Sequence, residues 1–424
     1  MTFAIHTFGC KVNIYESEYV TNLMQENHYQ MIPFDSEEVA DVYIINTCTV
    51  TNEADKKDRK LIHTARKNHP HSILVVMGCY SQLNPSEIDA DIVIGNKYKS
   101  QIIELIKEYQ NSKQKIIKVD NITKTDFEDM YINRFATHTR AFVKIQDGCN
   151  AFCAYCTIPY ARGGIRSKDF DKVISEVTTL VNNGYHEIVL TGIHTGRYGV
   201  EKHTNLETLL RELVKIPNIF RIRLSSIEIN EITDGIIDLI KNNDIMAKHL
   251  HIPLQSGSNE ILKNMNRLYN KETFIERIYY IRKEIPDISI TTDLILGFPD
   301  ETKANFKETL GTLNKIKFTK IHTFPYSKRD GTKAASMPNQ IDGNTKKCRV
   351  KEVINISDKS ELAFYKQKIG NIYDGIIETR KDGKKIVITT NYIPVEVVTD
   401  LSNNEKVKVK ITKIENNKVK GDII

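Results

Sequence analysis

Apolar positions along this chain change their period from region to region, and each change marks a new unit. Near the start, short β-branched runs alternate with amphipathic stretches. Residues 3–8, 39–46, 73–77 and 91–94 read as strands, and residues 13–25, 52–68 and 101–109 as helices. Val42, Ile44, Ile45 and the apolar run 73–77 have the character of strands buried on both faces, as in parallel sheets. The alternation predicts a small Rossmann-like parallel sheet covered by helices. A polar stretch over 110–140, with one short strand at 116–119, reads as a linker.

A second β-α series has strands at 141–146, 186–190, 221–224, 249–252, 289–294 and 320–324. Between them Val173, Val177, Leu180 and Val181 recur on one helical face, and Leu206, Leu209, Leu210 and Leu213 on another. Thr204-x-x-Glu207 reads as a capping box ahead of the second helix. These units predict an open, partial (β/α)6 barrel rather than the closed eight-fold one. Residues 345–367 read as a helix. After Gly370 the period drops to two: Val407, Val409 and Ile411 alternate with Lys406, Lys408 and Lys410, and Asp382-Gly383 and Asn416-Asn417 mark tight hairpins. About five short strands would make a small antiparallel β-barrel. The expectation is a multidomain α/β chain divided as 1–112, 135–365 and 366–424.

The length of 424 residues calls for two or three cores, in line with this division. No apolar run approaches the ~20 residues that span a bilayer. The opening residues enter a strand pattern with no basic-then-apolar leader, so the expected location is cytoplasmic, with no membrane partner. Net charge is +6, and residues 344–424 hold 17 Lys+Arg against 11 Asp+Glu, which leaves the remainder neutral. A basic tail on a neutral body suits a polyanion; a lysine-rich surface that only keeps a barrel soluble fits the charge equally well.

Seven cysteines in a chain without an export signal are better read as ligands than as disulfides. Cys149, Cys153 and Cys156 have the spacing C-x3-C-x2-C, just past the first strand of the barrel series. Three soft thiolates can hold three irons of a four-iron cube and leave the fourth open to a cofactor. Zinc is the alternative, but it prefers four ligands, and His138 and His194, the closest candidates, fit no zinc pattern. Cys10, Cys48 and Cys79 each follow the carboxyl end of a predicted strand, where an open parallel sheet forms its crevice. Gly9 and Gly78, directly before two of them, would let the backbone approach a cluster. Together the three suggest a second iron–sulfur cluster with an open iron; Cys348 has no such setting.

The C-x3-C-x2-C loop resembles that of the radical S-adenosylmethionine (SAM) enzymes. With both cysteine triplets and the basic tail, the whole chain resembles the radical SAM methylthiotransferase family. The resemblance implies two [4Fe-4S] clusters, an auxiliary one on Cys10, Cys48 and Cys79 and a radical SAM one on Cys149, Cys153 and Cys156. It implies SAM as cofactor and a C-terminal TRAM domain, an RNA-binding β-barrel. Phe8-Gly9-Cys10-Lys11-Val12-Asn13, the segment from Tyr155 to Gly163 and the segment from Phe324 to Thr332 resemble the branch that modifies threonylcarbamoyladenosine. The implied reaction adds a methylthio group to C2 of threonylcarbamoyladenosine at position 37 of a tRNA anticodon loop, with an electron donor such as flavodoxin or ferredoxin. Isopentenyladenosine tRNA and a ribosomal-protein aspartate are the alternative substrates, and a non-catalytic iron–sulfur RNA-binding or redox-sensing protein is the alternative class. Thr191, Gly192, Ser225, Ser226 and Gln255, all after barrel strands, are candidate SAM contacts, with turn residues the plainer reading. Arg162 and Arg166 would clamp a SAM carboxylate or an RNA phosphate, or lie on the surface.

Overall fold

Strands β1 (Thr2–Thr7), β2 (Gln30–Met31), β3 (Val42–Thr47), β4 (Ile73–Gly78), β5 (Ile92–Ile94) and β6 (Ile116–Lys118) form one parallel sheet in the order β2-β1-β3-β4-β5-β6. The structure, a computed structural model, describes residues 1–136 and 138–424; the linker reading at Thr137 lies outside the described residues. Helices α1 (Lys11–Glu26), α2 (Asn52–Asn68), α3 (Cys79–Leu83) and α4 (Ile102–Ser112) follow β1, β3, β4 and β5. Every residue of β3 and β4 is buried, as their β-branched runs require. Side chains alternate across the sheet. Val42 and Ile44 pack with residues of α1 and α4, while Tyr43 and Ile45 pack with Ile62 and Ala65 of α2. The sheet thus has helices on both faces. Its last strand lies past residue 112, inside the expected linker, because β6 pairs with β5 instead of running free.

The second unit has β7 (Ala141–Asp147), β8 (Arg166–Ser167), β9 (Glu187–Gly192), β10 (Arg221–Leu224), β11 (His249–His251), β12 (Ser289–Leu296) and β13 (Lys320–Pro325). Strands β7, β9 and β10 are parallel, as are β11, β12 and β13. Parallel bridges Ile222–Met246 and Ser226–His251 join the two groups into one open arc of six strands. Short β8 runs antiparallel to β7 on its free edge. Helix α5 (Ile158–Arg162) follows the cysteine loop, and α6 (Phe170–Asn182) and α7 (Leu206–Leu213) bury the apolar stripes expected of them. The cap of α7 differs from expectation by one residue. Asn205, not Thr204, holds the extended capping conformation, and its side chain accepts from the Thr208 N–H.

Helix Gly343–Lys366 leads to β14 (Ile372–Thr379), β15 (Lys385–Thr389), β16 (Pro394–Glu396), β17 (Lys406–Glu415) and β18 (Lys418–Ile423), a closed barrel in the order β14-β15-β16-β18-β17. It is not wholly antiparallel: β16 and β18 pair in parallel, the chain crossing over between them to close the barrel. Asn416 and Asn417 both take positive φ, as the tight turn demands. Val409 and Ile411 point inward and Lys406, Lys408 and Lys410 are exposed. This barrel docks on the second unit through Arg221 and Arg223. They are held by Glu187 and donate to the carbonyls of Asp374, Ile388 and Thr389. Among the described residues no helix is long and apolar enough to cross a membrane.

Candidate functional site

Cys10, Cys48 and Cys79 meet at one edge of the first sheet because β1, β3 and β4 are neighbours in parallel register. Thr47 pairs with Gly78, so the residues that follow them, Cys48 and Cys79, leave the sheet side by side. Gly9 has φ +97°, and a Cβ there would stand 3.0 Å from the Cys48 sulfur. Gly78 has φ +107°, and a Cβ there would meet the Thr47 carbonyl at 2.6 Å. Both positions therefore need glycine. Cys48 and Cys79 are buried and Cys10 is open to a cavity. Burial and the adjoining Cys79 and Cys10 sulfurs push the Cys48 thiol up to about 12. A thiol so raised gives up its proton only to a metal or a strong local cation.

The triad does hold a cation, placed at Cys79 rather than at Cys48. Arg162, fully buried, donates from Nε to the Cys79 sulfur (3.2 Å), from one terminal nitrogen to Glu16 (2.8 Å) and Asp147 (3.2 Å), and from the other to Asn13 (2.7 Å) and Glu16 (3.1 Å). No N–H of this guanidinium is left for a SAM carboxylate or an RNA phosphate, so the expected clamp is corrected: Arg162 joins the first sheet to the barrel from within. Arg166 is also internal, bonding the Arg162 and Gly164 carbonyls and facing Asp147 at 3.5 Å. Lys144 bridges Glu16 and Asp147 (2.7 Å each), and Lys99 faces Glu16 at 3.4 Å. Despite burial, which raises both, Glu16 and Asp147 are held well below the usual carboxylate range by these cations. Four buried cations thus face two carboxylates, an excess of positive charge beside the Cys79 sulfur. A cluster on three thiolates carries negative charge, and N–H donors to its sulfurs tune it. The donor set and its surroundings fit such a group.

Cys149, Cys153 and Cys156 lie on the loop after β7, all half-buried. Gly148 takes φ +72° where a Cβ would overlap the Gly164 carbonyl, so the loop folds tightly on the start of β8. Each of two sulfurs has a partner from far along the chain. Arg267, paired with Glu228, donates to Cys153 at 3.3 Å. His194, at the end of β9, contacts Cys149 at 3.3 Å through Nδ1 and Glu231 at 2.7 Å through Nε2. Burial works to lower the His194 pKa, but those two contacts outweigh it and raise it to about 10. Arg267 and His194 have no local signature; only the barrel brings them to the loop. Arg329 is similar. It ties the segment after β13 to the Cys48 loop through Thr49, Asn52 and Asp55, each at 2.6 Å.

The candidate SAM contacts divide between two cavities. Thr191, Gly192, Ser225 and Ser226 line a chamber of ≈ 780 Å³ together with Cys10, Lys11 and Tyr392. Gln255 instead lines a smaller space of ≈ 180 Å³ with Cys156, Thr157 and Thr51. Asp293, which sequence reasoning did not single out, faces both.

Two family models match separate parts of the chain. Residues 2–97 match the model of Uncharacterized protein family UPF0004, and residues 143–313 that of the Radical SAM superfamily. Across 97% of this chain and 94% of the relative, it is 44% identical to "Threonylcarbamoyladenosine tRNA methylthiotransferase MtaB" of Bacillus subtilis (strain 168). It is 35% identical, over 100% of this chain and 92% of the relative, to "tRNA-2-methylthio-N(6)-dimethylallyladenosine synthase" of Thermoanaerobacter pseudethanolicus (strain ATCC 33223 / 39E). Among solved structures, the radical S-adenosylmethionine methyltransferase TsrM from Kitasatospora setae superposes with TM-score 0.58 at 13% identity, covering 79% of this chain and 77% of that one. That likeness shows a shared fold.

Proposed function

The chain belongs to the radical SAM methylthiotransferase family, and on that premise we propose that it adds a methylthio group to C2 of the threonylcarbamoyladenosine at position 37 of a tRNA anticodon loop. The observation that carries this reading is the near full-length identity with the threonylcarbamoyladenosine enzyme. It is joined by a chamber that brings Cys10 to the carboxyl ends of β9 and β10. Cys149, Cys153 and Cys156 would hold one [4Fe-4S] cluster and Cys10, Cys48 and Cys79 a second. When bound, the clusters and SAM supply the electron, the radical and the sulfur that replacing an inert C–H bond requires. An electron carrier such as flavodoxin or ferredoxin would reduce them.

The protein's own part is placement. Arg162 and Arg267 donate to the sulfurs of Cys79 and Cys153, and His194 holds the cysteine loop against Glu231. Thr191, Gly192, Ser225 and Ser226 offer hydroxyl and backbone groups to bound molecules. The exposed Lys406, Lys408 and Lys410 give the C-terminal barrel a cationic face for the RNA backbone. Acting on tRNA, the enzyme would work in the cytoplasm. The test is nucleoside mass spectrometry of tRNA from a strain lacking the gene: methylthio-threonylcarbamoyladenosine should disappear while its unthiolated precursor accumulates. Loss of the methylthio-isopentenyl nucleoside instead would move the enzyme to the neighbouring branch.

A further inference from the structure

The chamber beside Cys10 has an uneven charge inventory. Lys11, Arg223 and Lys320 line it, together with His249, His251 and His322. Arg223 is taken by Glu187 at 2.8 Å, and Lys320 by Glu361 at 2.5 Å. Of the two lining carboxylates, Glu361 is paired with Lys320, and Asp293 contacts His251 at 3.2 Å, an ion pair only when that imidazole is protonated. Of the lysines and the arginine, Lys11 alone has no hydrogen-bond or ion-pair partner among the described residues. It is the first residue of α1, whose first turn carries no acid and whose cap makes no side-chain bond, so the positive end of that helix adds to the field. An ammonium so placed gains from any anion that enters.

We propose that Lys11 forms an anion subsite that takes the carboxylate of the threonyl group on N6 of the target adenosine. The proposal rests on the functional reading above and names what selects the substrate within it. Position supports it. Lys11 adjoins Cys10, so an anion on Lys11 belongs to a molecule whose other end can reach the sulfur-bearing edge. The chamber is of the size of small-molecule sites, suited to a base and its N6 substituent. Thr191, Ser225 and Thr291 on its walls can bond the hydroxyl and amide groups of the same substituent. A backbone phosphate offers the same charge, and the test must separate the two.

The experiment uses reconstituted holoenzyme, wild type, Lys11→Met and Lys11→Arg, each checked for iron content. Two anticodon stem-loop RNAs carry either threonylcarbamoyladenosine or its threonine-amide counterpart, and methylthiolation kcat/KM is read by mass spectrometry. Wild type should prefer the acid over the amide by roughly 10- to 100-fold, as for a hydrogen bond to a charged group. Lys11→Met should bring that ratio close to one by losing only the acid, and Lys11→Arg should keep most of it. A wild-type ratio near one overturns the proposal, whatever the variants do. So does Lys11→Met losing both RNAs equally, the result for a phosphate contact, or keeping the full preference. If wild type modifies neither RNA but thiolates an isopentenyladenosine stem-loop, the functional reading fails first and the subsite falls with it.

Discussion

Cys149, Cys153 and Cys156 lie within eight residues on one loop, whereas Cys10, Cys48 and Cys79 come from three strand ends spread over 70 residues. The loop triad is half-buried, and its N–H donors, Arg267 and His194, each pair with one carboxylate near the surface. The sheet triad has two buried sulfurs, and its donor Arg162 belongs to an internal network of six charged side chains shared with the barrel. The first arrangement is nearly a property of the local chain, which the barrel has only to orient. The second exists only while the sheet is folded and docked, because its ligands and its compensating charges come from different units.

The largest effects should fall on the sulfurs, and they should differ in kind. Cys153→Ala should abolish both reductive cleavage of SAM and methylthiolation. Cys48→Ala should lower methylthiolation by more than about 1,000-fold, as removal of an essential group does, yet leave 5′-deoxyadenosine formation in place. If both variants lose SAM cleavage together, the two triads are not separate centres.

Next come the arginines. Arg162→Met leaves Glu16 buried without its main partner and should destabilise the apoprotein by about 3–5 kcal/mol in denaturant unfolding. Arg267→Met frees a carboxylate, Glu228, that is 25% exposed, and should cost only about 1–2 kcal/mol. Equal losses would erase the contrast between internal and peripheral support.

A third junction gives a reference away from both triads. Burial opposes ionisation of Glu187, but Arg223 and Arg221 win and hold its pKa at about 2, below the ordinary 4.5. A depressed carboxylate pKa stabilises the fold above about pH 4.5, and that contribution is lost as pH falls through 2. The loss should reach up to about 3 kcal/mol, read as acid unfolding of the apoprotein. Glu187→Gln should remove that slope while leaving the sulfur sites intact; an unchanged slope would assign the acid sensitivity elsewhere.

What the sequence made legible follows the same contrast. The loop triad could be read from spacing, because a short loop fixes its own ligands. The sheet triad could be read from topology, because strand ends share one edge in a parallel sheet. Both barrels were legible from period, down to the inward Val409 and Ile411. The supports were not. Arg162 looks like any arginine after a helix turn, and only tertiary packing reveals that Glu16, from the far side of a domain boundary, accepts from it. Arg267, His194 and Arg329 act across more than 40 residues, beyond any local pattern. The α7 cap slipped by one because Asn205 and Thr204 are both good capping residues, and the fold selected the one with extended backbone. The parallel β16–β18 pairing was hidden because period two is the same in both strand directions.

The most direct test of two separate sulfur-ligated centres is iron and acid-labile sulfide per chain after anaerobic reconstitution, for wild type and for the Cys10→Ala/Cys48→Ala/Cys79→Ala variant. The account predicts about eight irons in wild type and about four in the variant, the remainder still reducible and active in SAM cleavage. Equal iron in the two proteins, or about four in wild type, would contradict it.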